Sequence, residues 1–155
     1  MLELGTTPAP FTLLDQRGEE LTWASLRGAP VVVFFYPKAS TPGCTTEACA
    51  FRDLSGEFAA RGAAVIGVSA DTVKRQSGFA TKYELNMPLL ADTERLVIEP
   101  WGVWQEKKNY GKTYMGIVRS TFLFDGEGRL VHLWSPVKVK GHVEAVLARL
   151  DELLG

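Results

Sequence analysis

Val31-Val32-Val33-Phe34-Phe35 is an unbroken apolar run, β-branched for three residues and aromatic for two. A strand with one wet face alternates polar and apolar side chains. This one does not, so both of its faces must be covered by other parts of the chain. Pro37 ends it. Ala64-Val65-Ile66-Gly67-Val68-Ser69 is a second run of the same kind.

The rest of the chain supplies the covering layers. Pro42 suits the first turn of a helix in which Ala48, Phe51, Leu54 and Phe58 fall near helical spacing, with Gly62 as its stop. Val73 to Tyr83 reads as a helix, Leu89 to Ala91 as a short strand, and Glu94 to Glu99 as a short helix before Pro100. Phe11 to Leu14 and Leu21 to Trp23 read as paired strands at the start. Ser120 to Phe124 and Leu130 to Trp134 flank Asp125-Gly126-Glu127-Gly128, a hairpin signal. Val143, Val146, Leu147, Leu150 and Leu154 give a last helix an apolar stripe. Lys107-Lys108 reads as a solvated loop. The expectation is an α/β chain: a mixed central sheet flanked by helices on both faces, for which a thioredoxin-like arrangement is one solution. At 155 residues the chain suits one domain spanning 1–155.

A formal net charge of −1 supplies no basic field to draw the chain to nucleic acid or anionic lipid. No apolar run approaches the roughly 20 residues that span a bilayer, and Met1-Leu2-Glu3-Leu4-Gly5 has no signal-peptide pattern. A cytoplasmic protein is the default expectation. Two cysteines are too few for a disulfide scaffold, which leaves inert thiols, a metal site or redox chemistry.

The stretch Tyr36-Pro37-Lys38-Ala39-Ser40-Thr41-Pro42-Gly43-Cys44-Thr45-Thr46-Glu47-Ala48-Cys49 decides among these. A buried strand ends, a loop follows, and Cys44 enters the first turn of a helix. Open N–H groups and the positive end of the helix dipole favour a thiolate there. An inert packed cysteine is the plainer alternative. Cys49 follows five residues later. In an intact helix that offset means about 7.5 Å of rise and about 140° of rotation, or roughly 8.6 Å between Cα atoms. A disulfide needs about 4.4–6.8 Å. The pair can join only if the first turn or two unwinds, which suits a redox switch better than a staple; Cys49 as a buried apolar filler is the other reading. Zinc would need two more ligands. His132 and His142, the only histidines, lie far downstream without ligand-like spacing.

Pro37-x3-Thr41-x2-Cys44 resembles the active-site motif of the peroxiredoxins. The longer run from Phe35 to Asp53 closely resembles the bacterioferritin-comigratory-protein, or peroxiredoxin Q, subgroup. The similarity continues through Gly67-Val68-Ser69, Leu89-Leu90-Ala91-Asp92, Gly102-Val103-Trp104 and Gly116-Ile117-Val118-Arg119-Ser120-Thr121-Phe122-Leu123. The resemblance implies a thiol-dependent peroxidase acting on hydroperoxides. Cys44 would be the peroxidatic cysteine and Cys49 the resolving one. Thr41 would set its hydroxyl against thiolate and peroxide, Pro37 would shape and shield the pocket, and Arg119 would stabilise thiolate and peroxide oxygens. It also implies a thioredoxin-type dithiol as reductant, a monomer, and no metal, flavin or haem. A carboxylate at Glu47, one helical turn beyond Cys44, would by itself oppose a thiolate; pairing with Arg119 would turn it into an orienting group, while a solvated first-turn glutamate is the alternative. Trp101, Trp104 and Tyr110 would either border the pocket or serve as core or interface aromatics. Two other functions remain conceivable: a thiol–disulfide reductase acting on proteins, and a non-enzymatic redox-sensing or chaperone-like module.

Overall fold

The computed structural model describes residues 1–155. Seven strands form one mixed sheet: β1 (Thr12–Leu14), β2 (Glu20–Thr22), β3 (Val31–Phe35), β4 (Ala64–Ser69), β5 (Leu89–Ala91), and then β8 (Ser120–Phe124) and β9 (Leu130–Trp134). Their spatial order is β2-β1-β5-β4-β3-β8-β9. The β3–β4 and β4–β5 pairs are parallel, and β3–β8 and β8–β9 are antiparallel. Between β5 and β8, strands β6 (Trp104–Asn109) and β7 (Lys112–Ile117) pair only with each other. The helices are α1 (Pro42–Asp53), α2 (Ser55–Ala60), α3 (Val73–Tyr83) and α4 (His142–Leu154), with a 3₁₀ turn at Trp23–Leu26. No helix is long and apolar enough to cross a membrane.

β3 is buried at every residue, as its composition requires. It feeds two cores. Val31, Val33 and Phe35 join a cluster with Trp23, Ile98, Trp101, Phe122 and Phe124. Val32, Phe34 and Tyr36 join a second cluster with Cys44, Phe51, Phe58, Phe79 and Val146. Helical elements flank the sheet unevenly: all four α-helices contribute to the second cluster, while the 3₁₀ turn and the 92–103 segment cover the first. Phe34 of β3 stacks on Phe51 of α1 with centroids 4.5 Å apart, fixing the helix to the sheet.

The structure corrects four readings of the sequence. The helix expected from Pro42 to Gly62 is two helices, because Leu54 leaves helical geometry at φ −100°, ψ 12°. Trp23 starts the 3₁₀ turn rather than ending a strand. Residues 94–99 form turns, not a helix: the Asp92 carboxylate accepts the N–H groups of Leu96, Val97 and Ile98, and Arg95 sits at φ 57°. Lys107-Lys108 belongs to β6, in a hairpin with little burial on either face outside its base and a tip, Tyr110, that is 97% exposed.

Gly67 on β4 leaves room for the rings of Phe34 and Tyr36 to approach its backbone closely. A Cβ there would fall 2.8 Å from Phe34 Cζ and 2.9 Å from Leu89 Cδ2. Gly67→Ala is expected to cost about 1–3 kcal/mol through overpacking, measured by urea denaturation; an unchanged midpoint would contradict the packing described.

Candidate active site

The antiparallel pairing Phe35↔Ser120 brings the end of β3 beside the start of β8. Arg119 lies one residue before β8. Strand alternation puts its side chain on the face of Thr121 and Leu123, the face that α1 covers. From there Arg119 Nη2 donates to Cys44 Sγ at 3.3 Å, and Nη1 donates to Glu47 Oε1 at 2.9 Å. Gly43 makes room for this approach: a Cβ on it would lie 3.0 Å from Arg119 Nη2. Sequence reasoning had not singled that glycine out.

Cys44 is 1% exposed and belongs to the apolar cluster beneath α1. Burial disfavours charge on its sulfur, and the guanidinium opposes burial. The helix start adds to the guanidinium. Thr45 N–H is the first to bond four residues back, to Thr41 O at 2.8 Å. The N–H groups of Gly43 and Cys44 are therefore among those that a helix start leaves open. Cys49 is half-buried further along the same intact helix, and both cysteines are free thiols.

Glu47 is fully buried, and its Oε2 has no hydrogen-bond partner. Burial pushes its carboxyl up to about 7, against the opposing pull of Arg119. The ion pair lowers the cost of the buried carboxylate without cancelling it. His142, at the start of α4, is buried against Phe51 and Trp134 and shares a 2.8 Å hydrogen bond with Thr121 Oγ1. Burial first, then Arg119, holds its imidazole down to about 4.

Thr41 occupies the N-cap position of α1 but makes no capping bond; its hydroxyl donates to Lys38 O at 2.8 Å. Its proton is thus committed, and its lone pairs remain for a donor. Pro37 is half-buried in the loop after β3. Neither residue hydrogen-bonds to the sulfur. Trp101 lies in the core on the opposite side of the sheet from Cys44, and Trp104 sits under the Arg95 guanidinium, 4.4 Å from its ring centroid.

A buried polar relay with no local signature in the sequence holds the loop. Tyr36 Oη donates to Gln76 Oε1 at 2.5 Å, Gln76 Nε2 to Ser69 Oγ at 2.8 Å, and Ser69 Oγ to Asp71 Oδ2 at 2.7 Å. The same Asp71 oxygen accepts the Ala39 N–H at 2.7 Å. That bond pins the backbone next to Ser40, which holds a left-handed φ of 65°, a conformation that costs on the order of 1 kcal/mol for a non-glycine residue.

The AhpC/TSA family model matches residues 4–133. The chain is 45% identical over 152 residues to peroxiredoxin Bcp of Bacillus subtilis, covering 98% of this chain and 97% of that protein. It is 43% identical over 151 residues to peroxiredoxin Bcp of Escherichia coli K12, covering 97% of each. Among solved structures it resembles the bacterioferritin comigratory protein of Xanthomonas campestris, studied for alkyl peroxide reduction. The TM-score is 0.90 and the identity 41%, over 94% of this chain and 92% of that one.

Two outcomes follow from this geometry. In a Cys49→Ser background, Gly43→Ala should slow alkylation of Cys44 at neutral pH several-fold by displacing the guanidinium; an unchanged rate would separate Arg119 from the reactivity of the sulfur. The second concerns pH. The unfolded chain protonates His142 below about 6.5, but the fold keeps it neutral to about 4, so acidification through that window favours unfolding. Glu47 runs the other way: the fold keeps its proton up to about 7 where the unfolded chain loses it near 4.5, so raising the pH favours unfolding. The two slopes oppose each other between these limits. Glu47→Gln should make denaturant-measured stability climb with pH there, by up to about 1.4 kcal/mol per pH unit, and a flat profile in the variant would refute the assignment.

Proposed function

Because the chain belongs to the AhpC/TSA family, we propose that its chemistry is centred on Cys44, with Arg119, Thr41 and Pro37 around it, Glu47 orienting Arg119, and Cys49 completing the cycle. The enzyme is a thiol-dependent peroxidase, a peroxiredoxin. What carries the residue assignment is the single guanidinium that reaches both Cys44 Sγ, at 3.3 Å, and Glu47, at 2.9 Å, where α1 begins.

In the proposed cycle the Cys44 thiolate attacks the outer oxygen of a hydroperoxide. The O–O bond breaks, Cys44 becomes a sulfenic acid, and the departing oxygen takes up a proton to leave as water or an alcohol. Negative charge grows on that oxygen as the bond breaks. Arg119 offers fixed donors to it, in a fork that a lysine cannot copy. Thr41, its own proton given to Lys38 O, accepts the hydroperoxide O–H and so orients the substrate. Pro37 keeps bulk water from the sulfur. The first turns of α1 then unwind, Cys49 condenses with the sulfenic acid to form an intrachain disulfide, and an external dithiol of the thioredoxin type reduces it by exchange. Hydrogen peroxide and organic hydroperoxides are the proposed substrates, and the chain acts as a single-domain cytoplasmic monomer without metal, flavin or haem.

Mixing reduced protein with hydrogen peroxide and following its mass tests the assignment. The wild-type protein should lose two hydrogens. Cys49→Ser should stop at the sulfenic acid or oxidise further, and Cys44→Ser should consume no peroxide. Peroxide consumption that survives in Cys44→Ser would overturn the scheme.

A further inference from the structure

We propose that Arg52 is a positioning residue for the resolving step: it staples the C-terminal turn of α1 to α3, so that the unwinding that frees Cys49 stops short of that turn. The proposal rests on Cys49 being the resolving cysteine.

The two ends of α1 are held very differently. At the N-terminal end, Thr41 makes no capping bond, the first turn has no acidic residue, and the Thr45 hydroxyl is buried without a partner. A missing cap costs a helix about 1 kcal/mol. Glu47, in the second turn, holds an unpaired buried oxygen that unwinding would release to water. At the C-terminal end, Arg52 Nη1 donates to the carbonyl of Tyr83 at 2.6 Å. Tyr83 is the last residue of α3, where carbonyls lack helical partners and a cation is favoured. Nε and Nη2 of Arg52 both donate to Asp53 Oδ1, at 3.0 and 2.8 Å. The guanidinium is thus fixed at three of its nitrogens, and the last turn of α1 is tied to a second helix.

Cys49 precedes Arg52 by three residues and so shares its face of the helix. The bond to Asp53 is the main reason that the guanidinium holds its proton strongly, and the charges of Cys49 and Glu84 add to it. The resolving step uses Cys49 as its thiolate. In the resolving step that thiolate attacks the sulfur of the Cys44 sulfenic acid. An S–S bond forms, the S–O bond breaks, and the hydroxide that leaves takes a proton from solvent to become water. The oxidant is the hydroperoxide already consumed at Cys44. Arg52 touches none of these atoms; it decides where the unwinding stops.

Rapid mixing of reduced protein with hydrogen peroxide, quenched for mass analysis, separates Cys44 oxidation from disulfide formation. Arg52→Ala should leave the first phase within about two-fold of wild type and slow the second at least ten-fold. Arg52→Lys, whose amine can still reach the Tyr83 carbonyl, should restore part of the second-phase rate, and it remains a test should Arg52→Ala fold poorly. Resolution at the wild-type rate in Arg52→Ala, or no recovery in Arg52→Lys, overturns the proposal and leaves Arg52 a structural anchor. A second phase that persists in Cys49→Ser would instead overturn the assignment of Cys49 itself.

Discussion

One guanidinium facing two acidic groups on a single helix is the interaction around which the site is organised. Arg119 arrives from the strand beside β3, and Cys44 and Glu47 come from α1. Both partners are buried almost completely, so each needs that cation far more than it would in water. The Arg119 side chain itself keeps 16% of its exposure. The charge is therefore reached through its own polar edge, while apolar side chains close off the rest. Burial explains why Glu47 holds its proton to about 7 even though Arg119 pulls the other way across a 2.9 Å ion pair.

Much of this was legible in the sequence because it is written in short-range patterns. The continuous run of β3 announces burial on two faces, and α4 shows its apolar stripe. The motif around Cys44, with Arg119 far downstream, named the residues that the fold brings within 3.3 Å of each other. Other features had no local signal. The break at Leu54 carries neither glycine nor proline, and the apolar spacing runs straight through it. The 94–99 segment has helical composition, but a carboxylate two residues upstream captures three of its N–H groups. The β6–β7 hairpin shows no alternation because little of it is buried beyond its base, and pattern reading depends on burial. The Tyr36–Gln76–Ser69–Asp71 relay joins residues up to 40 positions apart, a separation that periodicity cannot report.

That relay and the guanidinium act on opposite sides of one loop. The relay holds the backbone of residues 36–39 from the α3 side, and the left-handed Ser40 turns the chain from there into α1. Arg119 reaches the first turn of the helix from the β8 side. The loop is rigid at its base, whereas the helix start it leads into lacks a cap. Stiff scaffold and loosely tied helix start thus lie within a few residues of each other.

The stacking of Phe34 on Phe51 gives this arrangement a kinetic side. Phe51 lies beyond Cys49, so on the proposed cycle the opening of α1 ends before the aromatic pair is disturbed. What must be rebuilt after each turnover is then a stub of roughly two helical turns on a preformed seat. Winding such a stub takes on the order of a microsecond, far less than a diffusing protein donor needs to arrive. The catalyst rearms faster than it can be recharged.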